Sequence, residues 1–223
     1  NDSKTVIKTD SNGNEVWSYS GSGSSARDIA VDTSGNVYTS TYMGSVDITK
    51  IDSNGNEIWV IDVHTGYVTS IDVDSNGNVY SSSWDDTVKK VDTNGQEIWT
   101  FTGHSDYVQA VKVDKDSNTY SGSNDAIIKT NSYGSEIWTY SNIYTLRFLS
   151  VDQYGRVVFN SNSSIIRVDS DGNQDFRIFD SDSTTIASTN VDRNGNIYNS
   201  ATDGYAKKFD SDGKEIWMFT GHT

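Results

Sequence analysis

Apolar residues occur in short bursts along this chain and never in a run of helical length. Between Tyr67 and Thr102, Val68, Ile71 and Val73 form a β-rich run that ends in Asp74-Ser75-Asn76-Gly77, and Val79-Tyr80-Ser81-Ser82-Ser83 returns from that turn. Beyond the polar Trp84-Asp85-Asp86 connection, the stretch Thr87 to Asp92 reads as a third strand, Asp92-Thr93-Asn94-Gly95 as a second turn, and Glu97 to Thr102 as a fourth strand. Apolar pairs such as Ile98 and Phe101 persist for only five or six residues before Gly or Asn interrupts them, which excludes a helix. Each Asx-x-Asn-Gly turn uses its carboxylate to accept backbone N–H groups and its glycine to take a positive φ.

The same two hairpins recur along the chain. One marker, an Asx, a glycine three residues on and an aromatic four further, reads Asp10-Gly13-Trp17, Asp52-Gly55-Trp59, Asp92-Gly95-Trp99, Asn131-Gly134-Trp138, Asp169-Gly172-Phe176 and Asp210-Gly213-Trp217. Successive aromatics are 42, 40, 39, 38 and 41 residues apart. A second marker alternates with the first: Asp32-Gly35-Tyr38, Asp74-Gly77-Tyr80, Asp114-Ser117-Tyr120, Asp152-Gly155-Val158 and Asp192-Gly195-Tyr198. A four-stranded antiparallel unit of about forty residues matches a β-propeller blade, whose two faces are buried against its neighbours. The expected fold is therefore an all-β propeller in a single domain over residues 1–223. It comprises a half repeat at 1–25 and full repeats at 26–66, 67–105, 106–143, 144–183 and 184–223.

Strand counting gives twenty-two strands, whereas five blades need twenty and six need twenty-four. Five blades are preferred, with six including a partial blade as the alternative. The surplus hairpin, encoded both by residues 5–20 and by 206–220, would seal the ring or pair with another chain. An array longer than this chain would also account for the leftover half repeat.

Two families are resembled. Residues 78–103, NVYSSSWDDTVKKVDTNGQEIWTFTG, resemble the bacterial pyrroloquinoline-quinone-type propeller repeat. Residues 103–129, GHSDYVQAVKVDKDSNTYSGSNDAIIK, are similar to a WD repeat, with Gly-His, an apolar strand, Ser-Gly-Ser and an Asp before the third strand. Together the likenesses imply a bacterial or phage propeller repeat protein, and they define the fold better than the function. Where a WD repeat closes its third strand with Trp-Asp, this chain has Val91-Asp92, Thr130-Asn131 and Phe209-Asp210. The family's buried His-Ser-Asp-Trp network is accordingly expected to survive at most as a fragment, His104 with Asp125. The calcium site and catalytic aspartate of the quinone enzymes have no counterpart in these repeats.

Composition narrows the functions. A net charge of −14 repels nucleic acid and anionic membrane surfaces, and no apolar run is long enough for membrane insertion. The absence of cysteine rules out a disulfide framework or a thiolate site. Of the three histidines, His104 and His222 occupy equivalent positions after a fourth strand and His64 lies close to its own equivalent, which argues for a structural role and against a Ser-His-Asp nucleophile. The acids fall at turn positions in every unit, so no carboxylate pair suited to glycoside hydrolysis stands out. Asp169-Ser170-Asp171-Gly172-Asn173 and Asp210-Ser211-Asp212-Gly213 look superficially like calcium loops but lack a distal Glu and flanking helices; they read as Asx turns, able at most to hold calcium weakly. No catalytic residue, cofactor or specific metal site is expected.

Trp17, Trp59, Trp99, Trp138 and Trp217 recur with the blade and read as packing residues. Aromatics at offsets of their own are the candidates for ligand contact: Trp84 with its neighbours Asp85 and Asp86, then Tyr42, Tyr133, Tyr144 and Tyr205. The expected function is non-catalytic recognition of a cell-surface glycan or a protein by an extracellular or virion-associated module. The alternative is a structural repeat that self-associates through its terminal hairpins.

Overall fold

The computed structural model describes residues 6–21, 26–41, 47–179, 186–202 and 204–221, and among these the regular structure is entirely β. A two-stranded sheet, β1 (Val6–Thr9) and β2 (Glu15–Tyr19), precedes five four-stranded ones. The first contains β3 (Ala26–Val31), β4 (Val37–Thr41), β5 (Ile48–Ile51) and β6 (Glu57–Ile61). The second contains β7 (Val68–Val73), β8 (Val79–Ser83), β9 (Val88–Val91) and β10 (Glu97–Phe101). The third contains β11 (Ala110–Val113), β12 (Thr119–Gly122), β13 (Ala126–Thr130) and β14 (Glu136–Ser141), and the fourth β15 (Leu149–Val151), β16 (Val157–Ser161), β17 (Ser164–Val168) and β18 (Gln174–Phe179). The fifth is β19 (Ile186–Val191), β20 (Ile197–Ala201), β21 (Ala206–Phe209) and β22 (Glu215–Phe219). Every sheet is an antiparallel meander in chain order, the architecture of a propeller blade.

Two compact units divide the chain, residues 1–103 and 104–223. Within the first, β7 packs against β3 and β4; within the second, β15 packs against β11, and β19 against β15 and β16. Strand two of each of the first four full sheets is buried along its whole length, while strand four keeps one face in solvent. The exposed Ile58, Ile98 and Ile137 lie on these outer strands.

One contact joins sheet to sheet. The Trp17 indole N–H donates to the Ser53 carbonyl at 3.0 Å, Trp59 to the Thr93 carbonyl at 2.9 Å and Trp138 to the Ser170 carbonyl at 2.9 Å. A lysine two residues before the Asx reaches the same oxygen in each case: Lys8 at 3.1 Å, Lys50 at 3.0 Å and Lys129 at 3.1 Å. In the fourth sheet Phe176 has no N–H to offer, and Arg167, stacked 4.4 Å above its ring, donates to the Ser211 carbonyl instead. The receiving carbonyl belongs to the second residue of the next Asx turn, and the aromatic lies flat on that turn's glycine. Gly55 (φ 92°) and Gly172 (φ 92°) show why glycine is required: a Cβ there would meet Trp17 or Trp138 at 2.9 Å. The inner hairpins use a parallel device, the Tyr38 hydroxyl bonding its own Asp32 at 3.1 Å and the Gly77 carbonyl of the next turn at 3.3 Å.

The core pair that opens strand two and closes strand three is apolar in four sheets: Val37 with Ile51, Val79 with Val91, Val157 with Val168, and Ile197 with Phe209. In the third sheet it is Thr119 with Thr130, whose buried hydroxyls have no hydrogen-bond partner among the described residues.

Two stability measurements follow from these contacts. Gly172→Ala should destabilise by more than about 1 kcal/mol in urea titration, since it strains the backbone and displaces Trp138. In a Trp138→Ala background the same change should cost less, because the steric part is relieved. Conversely, Thr119→Val with Thr130→Val should stabilise by about 1–2 kcal/mol, replacing two unsatisfied hydroxyls with methyl groups. Equal or lower stability would show that the hydroxyls are satisfied in solution.

Candidate binding rim

The meander sends its turns alternately to two ends of each sheet. The Asx turns, joining strands one to two and three to four, share one end, and their carboxylates are consumed locally. Asp52 Oδ1 accepts the N–H groups of Asn54 and Asn56, both at 2.8 Å, and Asp169 Oδ1 those of Asp171 at 2.9 Å and Asn173 at 2.8 Å. These bonds hold the exposed Asp52 carboxyl below its usual range, with the Asn56 side chain the largest cause. Asp169 likewise spends its lone pairs on its own turn, and among the described residues no three His, Cys, Asp or Glu side chains converge on a metal position.

The opposite end carries the strand two-to-three turns and the loops between sheets. In the second sheet His64 lies buried beneath this end, its Nε2 2.8 Å from Ser81 Oγ and its Nδ1 3.0 Å from Asp85 Oδ2. Because a carboxylate only accepts, Nδ1–H donates to Asp85, and Nε2 shares a second hydrogen bond with the Ser81 hydroxyl. Burial would raise the Asp85 carboxyl, but the bonds from His64, Thr87 and the Thr65 N–H outweigh it and hold it well below the carboxylate range. Asp47 fixes the same loop by accepting the N–H groups of Val63 at 2.7 Å and His64 at 2.5 Å; burial pushes its carboxyl up against the opposing pull of those bonds.

The third sheet has a longer relay. His104 Nε2 is 2.7 Å from Ser121 Oγ, Nδ1 is 2.8 Å from Ser123 Oγ, and Ser123 in turn donates to Asp125, which also accepts from Ser105. Burial pushes His104 down to about 4, opposed by the charges of Asp125 and Glu136. Histidine networks therefore form in two sheets, which corrects the expectation of a single fragment at His104. A Thr87 hydroxyl, 2.6 Å from Asp85, satisfies the carboxylate without the tryptophan of the family pattern.

Ser81, His64 and Asp85 stand in the order of a hydrolase triad, yet the Ser81 residue is only 1% exposed, in the middle of a packed strand. No acyl carbon can approach its Oγ, so the array ties strands to loop and does no chemistry.

The sequence-selected residues separate accordingly. Asp85 is nearly enclosed and engaged by His64, Thr65 and Thr87. Trp84 is half-buried, its ring edge-on to Tyr67 at 5.3 Å and its backbone N–H donating to the Tyr67 carbonyl at 3.0 Å, so it has more neighbours than the loop position suggests. Asp86, beside it, adopts φ 65°. Tyr205 is buried, 7% exposed, because the tight turn closed by the Ala201 and Gly204 bonds delivers it inward, where Lys207 lies 4.9 Å from its ring. Tyr133 is fully in solvent on an Asx turn, whereas Tyr144, 71% exposed, stands at the opposite end of β14, so these two do not meet. Tyr42 and His222 lie outside the described residues.

Sequence reasoning overlooked Tyr67 and Tyr107, both exposed and both seven residues before an Asx-turn aspartate, with Tyr144 eight before Asp152. It also overlooked the basic residue at Asx minus two, although Lys8, Lys50, Lys90, Lys129, Arg167 and Lys208 are plain in the six copies.

The family model for the WD domain, G-beta repeat, matches residues 55–92 and 95–130. These segments are similar to WD-type repeats. Each window holds one complete histidine network, His64-Ser81-Asp85 in the first and His104-Ser121-Ser123-Asp125 in the second. No curated protein matches the chain.

Acid should loosen the third sheet first. With a folded pKa near 4 against an ordinary 6.5, neutral His104 contributes stability that is complete above pH 6.5 and is lost as pH falls toward 4. The loss amounts to about 3 kcal/mol below that point. His104→Gln should flatten this part of a denaturant-midpoint profile between pH 7 and 4, and an unchanged slope would contradict a buried neutral imidazole.

Proposed function

We propose that the chain is a non-catalytic recognition module that binds a protein or cell-surface glycan through the loop end of its sheets. The observation that carries this reading is the set of exposed tyrosines at matching loop positions: Tyr67 in the first unit, Tyr107 and Tyr144 in the second. Amphipathic rings on a rigid scaffold give contact area at small entropic cost. Around them stand polar groups of fixed orientation. In the second unit Asn124 bonds Asp106 at 3.0 Å and the Leu146 N–H at 3.2 Å, and Thr145 bonds Asn162 at 3.2 Å. In the first unit Trp84 and Asp86 occupy the corresponding place. The Asx-turn end is the poorer surface, because its carboxylates are engaged within their own turns.

A separate observation favours the alternative, a structural repeat assembling with other chains through its half-blade. Strand β1 pairs only with β2, so among the described residues the far edge of Val6–Thr9 presents unpaired backbone groups.

Tyr107→Ser with Tyr144→Ser removes exposed rings and should leave the melting temperature within about 2 °C of wild type. Wild type and this variant are to be compared on a glycan array and in crosslinking pull-downs. Wild type should retain a ligand that the variant loses by tenfold or more; equal retention would remove the rim from the binding surface.

A further inference from the structure

We infer that the chain stacks head to tail on a second copy of itself, the last sheet of one copy clasping the first turn of the next. This deepens the assembly reading above, but it uses stacked sheet faces in place of the open β1 edge.

The contact is one the chain already makes four times. An aromatic and a basic residue of one sheet converge on the carbonyl of the next sheet's Asx turn, at Ser53, Thr93, Ser170 and Ser211. Each unit then presents one half of the same contact with nothing seated on it. In the fifth sheet Trp217 is 42% exposed and Tyr198 38%, whereas the equivalent Tyr38, Tyr80 and Tyr120 are fully buried. Lys208 stands 5.1 Å over the Tyr198 ring, as Lys50 stands 5.2 Å over Tyr38, so the donor half is assembled. An open hollow of about 220 Å³ lies on this face, lined by Tyr198, Ala206 and Trp217 among others.

The acceptor half is in the first unit. The turn 10–13 is built like the others, with Asp10 Oδ1 accepting from Asn12 at 2.8 Å and Asn14 at 2.9 Å, and Gly13 at φ 86°. A Cβ on Gly13 would meet nothing within 4 Å, where Gly55 and Gly172 carry an indole at 2.9 Å. On β3 of the same unit, Ile29 is 53% exposed while its equivalents Ile71, Val111 and Leu149 are buried. A second hollow, of about 290 Å³, lies between β1 and β3, lined by Val6, Ile7 and Ile29 among others. Trp217 and Lys208 are thus the donors that the Ser11 carbonyl and the Gly13 surface would receive. Because the two patches differ, the contact is heterologous, and each copy has both a donor and an acceptor end. A chain of net charge −14 repels its own kind, so added salt should strengthen an apolar contact of this sort.

Sedimentation velocity of the full 223-residue chain provides the test. Wild type should gain mass with concentration, more so at 0.5 M than at 0.05 M NaCl. Trp217→Ala removes an exposed donor, and Gly13→Asn keeps a residue that tolerates positive φ while placing a side chain where the indole must lie. Each variant should run as a monomer with a wild-type thermal melt, and a one-to-one mixture should form a dimer and nothing larger, since one intact donor end then meets one intact acceptor end. If Trp217→Ala associates as wild type does, the stacked contact is wrong while edge pairing through β1 stands. If wild type is a monomer at every concentration and salt, both readings fail.

Discussion

Everything in this structure depends on one carbonyl oxygen per junction. A four-stranded sheet whose middle strands are buried on both faces cannot stand in water alone, and the clasp on the next Asx turn sets how its neighbour meets it. Ser53, Thr93 and Ser170 each receive an indole N–H and an ammonium, a neutral and a charge-assisted donor on the two lone pairs of one acceptor. At Thr93 and Ser170 the ammonium belongs to a buried lysine. Lys50 and Lys129 are under one-tenth exposed, a placement tolerable because the carbonyl and the faces of Tyr38, Trp59 and Tyr120 replace water around the charge. Lys90 has Asp74 at 3.9 Å in addition; burial lowers its pKa and the carboxylate partly restores it. Position Asx minus two therefore takes a basic residue in all six copies.

The one departure from the indole tests this logic. With Phe176 the neutral donor is lost, and in that copy alone lysine is replaced by arginine, whose planar guanidinium both stacks on the phenyl ring and carries several N–H groups. One of them reaches Ser211 while Nε holds Asp175 at 2.9 Å. A single residue thus supplies the packing and the hydrogen bond that Trp and Lys divide elsewhere.

How much of this could be read beforehand depends on whether an interaction repeats. The strands and turns were legible because each recurs five or six times at fixed offsets, and the twenty-two strands and the meander order follow from that. The histidine networks were less so: His64 is three residues past the end of a fourth strand and Asp85 is twenty-one further on, a pairing that only the sheet brings to 3.0 Å. Sequence alone does not place Asp85, since an acid beside a loop tryptophan looks the same whether it faces solvent or a buried imidazole. The burial of Tyr205 has a local cause: the Ala201 and Gly204 backbone bonds close a turn that carries its ring inward, which the spacing of the sequence does not reveal.

Function in such a scaffold has to reside where the repeat is free to vary. The Asx-turn end is not free, because each turn must present its carbonyl and a bare glycine to the sheet before it, and a side chain introduced there displaces the clasp. The loop end has no such duty once His64 or His104 has anchored it from below. The anchoring histidines are enclosed, so a loop residue above them can change without loss of the sheet. Tyr67, Tyr107 and Tyr144 occupy that permitted position, each on a loop whose backbone is already pinned: by Asp47 in the first unit, by Asn124 and Asn160 in the second. A rigid loop carrying an exposed ring pays little entropy to bind, and the structural constraint at one end of the sheet is what leaves the other end available for recognition.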